Sequence, residues 1–280
     1  MIKICLLSEN YSRKRYMKGE HGLSIWIQKD DRNILFDTGQ SNLFSQNASQ
    51  LGIDISKANI LVLSHGHYDH TGGVPEFCRL NRSAPIYINQ DAFHKRYNGK
   101  NDMNNNIGIP WAEQKDGVNE VPFERLIMNK GTVNLSDGIF LSGQIPRTVS
   151  FEEAPRNFYI DDGKGNLSSD MIMDEQMLLV KGNKGIHIFS GCSHSGIINC
   201  IEYTKDLFPN DRIISLTAGM HLESVSELRL QKTMQHLLEF DIETIIPLHC
   251  TGMIPICKMV EFLKECCKRI MVGDEMVLEE

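Results

Sequence analysis

Ser64-His65-Gly66-His67-Tyr68-Asp69-His70-Thr71-Gly72-Gly73 brings four metal-binding side chains into six residues. The stretch follows an apolar run, Ile60-Leu61-Val62-Leu63, that reads as a buried strand. A strand fixes the position of its end, and the loop after it leaves the ligands free to converge. His65 and His67 are two residues apart, so in extended backbone they point the same way. Asp69 and His70 are adjacent and can diverge toward a second centre. Imidazole with carboxylate suits zinc best, with iron and manganese as alternatives. Two divalent metals sharing one loop is therefore the expectation.

Composition narrows the partners. The chain of 280 residues is long enough for one large domain or two small ones. A formal net charge of -7 argues against nucleic acid, and the one basic cluster, Arg13-Lys14-Arg15, reads as a solvated turn. An anionic substrate would need a local basic pocket set against that overall charge. Met1 to Leu7 is too short an apolar stretch for a secretory leader, and no segment approaches the length of a membrane span. The eight cysteines form no CxxC pair, so reduced thiols in a cytoplasmic protein are expected.

Outward from the His cluster, the pattern is mixed. Residues 2–7 read as a strand, 10–21 as a polar loop, and 23–28 with 34–36 as a hairpin ending in Asp37-Thr38-Gly39. Ser41 or Asn42 caps a helix that Gly52 stops. Residues 74–80 read as a short helix and 85–88 as a strand. Periodicity weakens over about 91–170, with short strands near 107–110, 121–128 and 139–141, and this stretch reads as an inserted α+β elaboration. Strands return at 176–180, 186–190, 213–216 and 244–248, with helices to about 207, over 224–240 and over 255–267. His194, His221 and His249 each follow one of these strands. Three histidines at strand ends, in a chain that already carries HxHxDH, are best explained as converging on one site. His187 and His236, inside a strand and a helix, read as structural.

Phe36-Asp37-Thr38-Gly39, the HGHYDHTGG stretch at 65–73 and a late histidine after a strand make the whole chain resemble the metallo-β-lactamase fold superfamily. Glu20-His21-Gly22, Ser142-Gly143-Gln144-Ile145-Pro146-Arg147, Asp174-Glu175-Gln176, Ser190-Gly191-Cys192-Ser193-His194-Ser195-Gly196 and Pro247-Leu248-His249-Cys250-Thr251-Gly252 resemble one branch of it. That branch comprises the 7,8-dihydropterin-6-yl-methyl-4-(β-D-ribofuranosyl)aminobenzene 5'-phosphate synthases and their relatives. The resemblance implies an α/β fold, a four-layer αβ/βα sandwich with the metals at one sheet edge. It implies His65, His67, Asp69 and His70 as ligands, with His194 and His249 completing the shells. One departure stands out: Gly191-Cys192 replaces the Gly-Asp step expected to supply a bridging carboxylate. Cys192 is thus a candidate thiolate ligand, equally a plain buried cysteine, and His221, Glu20 and His21 are candidates for ligation or substrate contact. Asp37 is expected to brace a ligand histidine from behind.

Metal bound through neutral imidazoles acidifies a bound water and polarises a carbonyl or phosphoryl oxygen. The expected chemistry is hydrolysis of a small ester, lactone or phosphoester, with Asp69 ligating or orienting the water. The branch resemblance implies instead a transferase that joins a dihydropterin diphosphate to a ribofuranosyl-aminobenzene phosphate. Arg147 and Arg156 would then be phosphate contacts. A di-iron redox protein is disfavoured, because the corresponding loop of such proteins carries Glu where this chain has His67. A non-catalytic metal-binding protein is disfavoured by the full ligand set.

Overall fold

The structure is a computed structural model and describes residues 1–99, 105–112, 121–161, 164 and 166–279. In chain order the elements are β1 (Ile2–Ser8), β2 (Ser24–Lys29), β3 (Arg32–Phe36), α1 (Leu43–Gln50), β4 (Ile60–Val62), α2 (Tyr68–Thr71), α3 (Val74–Leu80), β5 (Ile86–Asn89), β6 (Arg96–Asn98), β7 (Leu126–Asn129), β8 (Val133–Ser136) and β9 (Ile139–Leu141). They continue with β10 (Phe158–Asp161), β11 (Leu167–Ser169), β12 (Leu178–Lys181), β13 (Ile186–Ser190), α4 (Ile197–Leu207), β14 (Ile213–Gly219), α5 (Glu227–Glu239), β15 (Thr244–Leu248), α6 (Met253–Leu263) and β16 (Glu275–Glu279).

Two sheets carry the fold. One runs β16-β1-β2-β3-β4-β5-β7 and the other β15-β14-β13-β12-β9-β8. Strand periodicity explains how they stack. Along β1 to β4, Ile4, Leu6, Ile25, Ile34, Phe36 and Val62 face the second sheet, where Leu141, Leu178, Val180, Phe189 and Ile246 meet them. The alternate residues Leu7, Leu35 and Leu61 face outward, under Phe44 and Ala48 of α1 and Phe77 of α3. On the far side, Leu179, Ile188, Leu216 and Ile245 are covered by α4, α5 and α6 through Ile201, Leu230, Met234 and Met259. The result is the helix, sheet, sheet, helix order that the resemblance implies. It also explains why the core strands read as unbroken apolar runs, since both faces are buried.

The stretch 91–170 is distributed over three sheets. β7 joins the edge of the first sheet and β8 with β9 the edge of the second. Only β6, β10 and β11 form a separate three-stranded sheet. The strand expected near 107–110 does not form; Asn106 makes an isolated bridge to Tyr97 instead. Asn101 to Asn104 of the Asn-rich stretch, and Asp162, Gly163 and Gly165 of the turn before β11, lie outside the described residues. The edge strand β16, which pairs antiparallel with β1, had no reading in the sequence pattern.

Helix α5 begins later than its apolar pattern suggests, because Ser226 caps it by accepting the Arg229 N–H at 3.2 Å. Ser226→Ala is expected to cost about 1 kcal/mol, a small downward shift of the urea midpoint at unchanged slope. Among the described residues no helix is long and apolar enough to cross a membrane.

Candidate metal centre

Every candidate ligand but Glu20 and His21, which lie in the loop before β2, follows the end of a strand of one of the two main sheets. β4 releases His65, and the chain then starts the single turn α2 with His67 just before it and Asp69 and His70 inside it. β13, β14 and β15 release Cys192 with His194, His221, and His249 with Cys250. Parallel pairing of β13, β14 and β15 brings their three C-terminal ends to one edge. Asp37, Ser193, His221 and His249 all hold positive φ, of 58°, 54°, 47° and 48°. Such backbone costs a non-glycine residue about 1–3 kcal/mol, and it turns each chain sharply at its strand end. Strain gathered at one edge is what a built site looks like.

The nitrogens converge. His65 Nε2 lies 3.0 Å from His67 Nδ1, and the His194 ring stands 5.0 Å from the rings of both. Two nitrogens on one tetrahedral zinc at its usual bond length stand about 3.3 Å apart, so this spacing fits an ion. His67 Nε2 and both ring nitrogens of His194 are buried and have no hydrogen-bond partner. Buried ring nitrogens without partners are costly unless something binds them. A second group surrounds Asp69 Oδ2, with His21 Nε2 at 3.1 Å, His249 Nε2 at 3.2 Å and His70 Nε2 at 3.8 Å. The Cys192 thiol links the two groups: its Sγ lies 3.2 Å from His70 Nε2, and it converges with His65 and His70 on one side and with His249 and Cys250 on the other. The residues present fit two divalent ions.

Electrostatics favours the ligand form of His65, His67, His194, His249 and Asp69, and holds His70 and Cys192 in their protonated forms. Burial, and then the neighbouring histidines, hold His65 and His67 well below the ordinary imidazole value. His194 is held low by burial, then by His221 and His65. Burial likewise brings His249 down to about 4, although Asp69 pulls the other way. A neutral imidazole is the form that binds metal. Burial opposes charge on His70 as well, but Asp37 and Asp69 outweigh it and raise His70 to about 9. Burial pushes Asp69 up, yet His70, His21 and His249 prevail and hold it well below the usual carboxylate range. The Cys192 thiol is pushed well up by burial and by Cys250 beside it. His221 is lowered by burial and by the charge of Arg229.

Buried carboxylates hold the ligand loops from behind. Asp37 accepts from the Ser64 N–H and hydroxyl, both at 2.7 Å, and pairs with His70 Nδ1 at 2.6 Å. Asp174 accepts the Gly66 N–H at 2.7 Å. Glu175 accepts the N–H groups of His194 and Ser195, and Glu9 that of His249. Asn10 Oδ1 lies 2.8 Å from His249 Nδ1 and orients that ring. Two glycines make room. A Cβ on Gly191 would stand 2.2 Å from Ser64 Oγ, and one on Gly219 would stand 2.8 Å from Cys250 Sγ.

The candidate ligands open onto a cavity of about 450 Å³. His21, His67, Asp69, Cys192, His194, His221 and His249 all line it, together with Phe158 and Arg156. Phe158, from the small sheet, packs its ring 5.5 Å from the rings of His67 and His194. His221 stands 4.6 Å, ring to ring, from His194 but belongs to none of the converging ligand groups among the described residues. Two other candidates are engaged elsewhere. Glu20 accepts hydrogen bonds from Ser8 and Ser41. Arg147, expected as a phosphate contact, instead donates to the carbonyls of His194 and Met171, so it holds the His194 turn from outside the cavity. His187 bonds Ser215 and Glu279, and His236 pairs with Glu239, both away from the cavity. Sequence reasoning left Glu9, Asn10, Asp174, Phe158 and Cys250 without a place in the site. Cys250, beside His249, and Asp174, in Asp174-Glu175-Gln176, stood in stretches that the sequence singles out.

The same fold is found in known proteins. The Metallo-beta-lactamase superfamily matches residues 17–249. An uncharacterized protein of Methanocaldococcus jannaschii is 31% identical over 260 residues, covering 92% of this chain and 93% of that protein. The 7,8-dihydropterin-6-methyl-4-(beta-D-ribofuranosyl)-aminobenzene-5'-phosphate synthase of the same organism is 27% identical over 283 residues, covering 97% of this chain and 95% of its own. Among solved structures, a metal-dependent hydrolase of the beta-lactamase superfamily matches with a TM-score of 0.82 at 27% identity, over 100% of both chains. The metallo-beta-lactamase fold protein YhfI from Bacillus subtilis shares the fold, with a TM-score of 0.57 at 11% identity over 98% of each chain. A match over most of the chain, joined to a two-sheet sandwich whose strand ends collect HxHxDH and two later histidines, makes this chain a member of the metallo-β-lactamase superfamily.

Proposed function

We propose that the chain is a metal-dependent hydrolase of a small ester, lactone or phosphoester. His65, His67 and His194 would hold one divalent metal, and Asp69, His70 and His249 a second, zinc being the best match to these donors. The observation that carries the reading is the convergence of His65 Nε2 and His67 Nδ1 at 3.0 Å beside the buried, unpartnered His194 ring, with His67 and His194 both lining a cavity open to a ligand. Metal held there supplies Lewis acidity and lowers the pKa of a bound water. The protein's own groups do the rest. Asp37 and Asn10 fix the ring orientations of His70 and His249, so that each Nε2 faces Asp69 Oδ2. Asp69 Oδ2, held among three imidazoles, orients the attacking water. Phe158 covers His67 and His194 and keeps bulk solvent off them.

A second reading, the transferase, is favoured by the 27% identity to the M. jannaschii synthase along nearly the whole chain. One assay panel separates the two. Metal-loaded protein is offered phosphodiesters, lactones, and a dihydropterin diphosphate with a ribofuranosyl-aminobenzene phosphate. Turnover of either of the first two supports hydrolysis, and product from the third alone supports transfer. Elemental analysis should give two ions per chain, and His67→Ala should lose one of them and all detected activity. Full activity in that variant would sink the metal mechanism.

A further inference from the structure

We propose that a second cavity, beside the metal centre, is a phosphate subsite formed by Arg156, Arg229 and Lys232. It encloses about 640 Å³. Arg156, Asn157, His221 and Ser224 line it, and the same four residues line the metal cavity. The two are therefore neighbouring chambers that share a wall, in which the His221 ring stands 4.6 Å from that of His194.

Charge sets this chamber apart. The chain as a whole carries a formal charge of -7. The chamber's lining holds three cations against one carboxylate, Glu153, which pairs with Arg156. Lys232 Nζ lies 5.6 Å above the Phe151 ring, a contact that leaves its N–H donors free to turn toward a ligand. Arg229 uses one nitrogen on the Glu153 carbonyl at 3.4 Å, while its Nε is buried without a hydrogen-bond partner. A guanidinium with unspent donors beside two more cations matches a phosphate group, which takes several charge-assisted bonds at once. The residues leading into α5, Ser224 to Ser226, line the same chamber, so the positive end of a helix of 13 residues adds to the field. Glu227, the first residue of α5, is drawn off by Lys258.

The substrate class follows, and this part rests on the reading of the neighbouring cavity as the reaction site. It is a small phosphorylated molecule whose phosphate stays in the subsite while its reacting group passes His221 to reach the metals. The phosphate anchored here is not the group that reacts.

Calorimetric titration of the metal-loaded protein with inorganic phosphate tests the subsite. Arg229→Met and Lys232→Met should each weaken binding about tenfold, the loss of one charge-assisted contact, with metal content unchanged by elemental analysis. His67→Ala should bind phosphate as the parent does. The proposal is overturned if the parent binds no phosphate, if either cation variant binds it unweakened, or if His67→Ala abolishes binding, because phosphate would then sit on the metals. The titration reads no turnover, so it can fail while hydrolysis is observed and succeed while hydrolysis is not.

Discussion

Replacing Asp37 with alanine is expected to lower metal affinity about 10- to 100-fold and to destabilise the fold by several kcal/mol. Asp37 is fully buried and serves three donors at once, the Ser64 N–H, the Ser64 hydroxyl and His70 Nδ1. Without it the Ser64 N–H is left buried and unpaired, at a cost of about 1–3 kcal/mol, and the Ser64 hydroxyl keeps its contact with His65 Nδ1 at 2.9 Å. His70 also loses the partner that aims its Nε2. Asp37 sits at φ 58°, a conformation that asparagine tolerates better than alanine. Asp37→Asn should therefore recover part of the stability and little of the metal affinity, since its amide keeps the shape but turns one acceptor oxygen into a donor. Urea unfolding reads the first effect and competition with a chromophoric chelator the second. Metal affinity equal to the parent in Asp37→Ala would remove Asp37 from the site.

Arg96→Ala should be among the most destabilising single changes in the molecule, by about 3–5 kcal/mol. Arg96 is 1% exposed, with Nη2 at 2.6 Å from Asp174 and Nη1 at 3.5 Å from Asp170. Truncation strands two buried carboxylates without a cation. One of them, Asp174, also holds the Gly66 N–H of the ligand loop, so the damage reaches the metal site. The sign of the pH dependence follows. Burial already raises Asp170, and loss of the Arg96 guanidinium removes the charge that opposes that rise. Protonating Asp170 relieves its stranded charge, so the deficit relative to the parent should shrink as pH falls toward the raised value of that carboxyl. Adding Asp174→Asn to Arg96→Met removes charges on both sides and should recover part of the loss. A deficit that stays constant with pH, or no recovery in the double variant, would show that the charge pair is not what Arg96 contributes.

These two residues mark what could and could not be read in advance. Asp37 was legible because it stands in a short local pattern, Phe36-Asp37-Thr38-Gly39, at the end of a hairpin strand. Arg96 was not, because its meaning depends on Asp170 and Asp174, more than seventy positions away. The same holds for Glu9 under His249 and Glu175 under His194. A glutamate that clamps a distant backbone N–H has no local signature. Arg147 shows the reverse error. Its position in a motif suggested a ligand contact, yet its guanidinium is taken up by two carbonyls. Residues 91–170 read as one insertion because their strands are short and weakly patterned, and pairing, not periodicity, assigns them to three sheets.

By itself the sequence carried the motifs that resemble the superfamily, through that resemblance the layer order, and most of the candidate ligands. The motifs and ligands are legible because their side chains stand a few residues apart, where local chain geometry relates them. Only the tertiary structure decided how the ligands divide into two groups. It alone set Cys192 between those groups, with Cys250 beside it, and spent Arg147 and Glu20 elsewhere. It also gathered Arg156, Arg229 and Lys232 against an acidic chain. Each of those outcomes depends on distances between the ends of strands far apart in the chain, and the packing of the two sheets sets those distances.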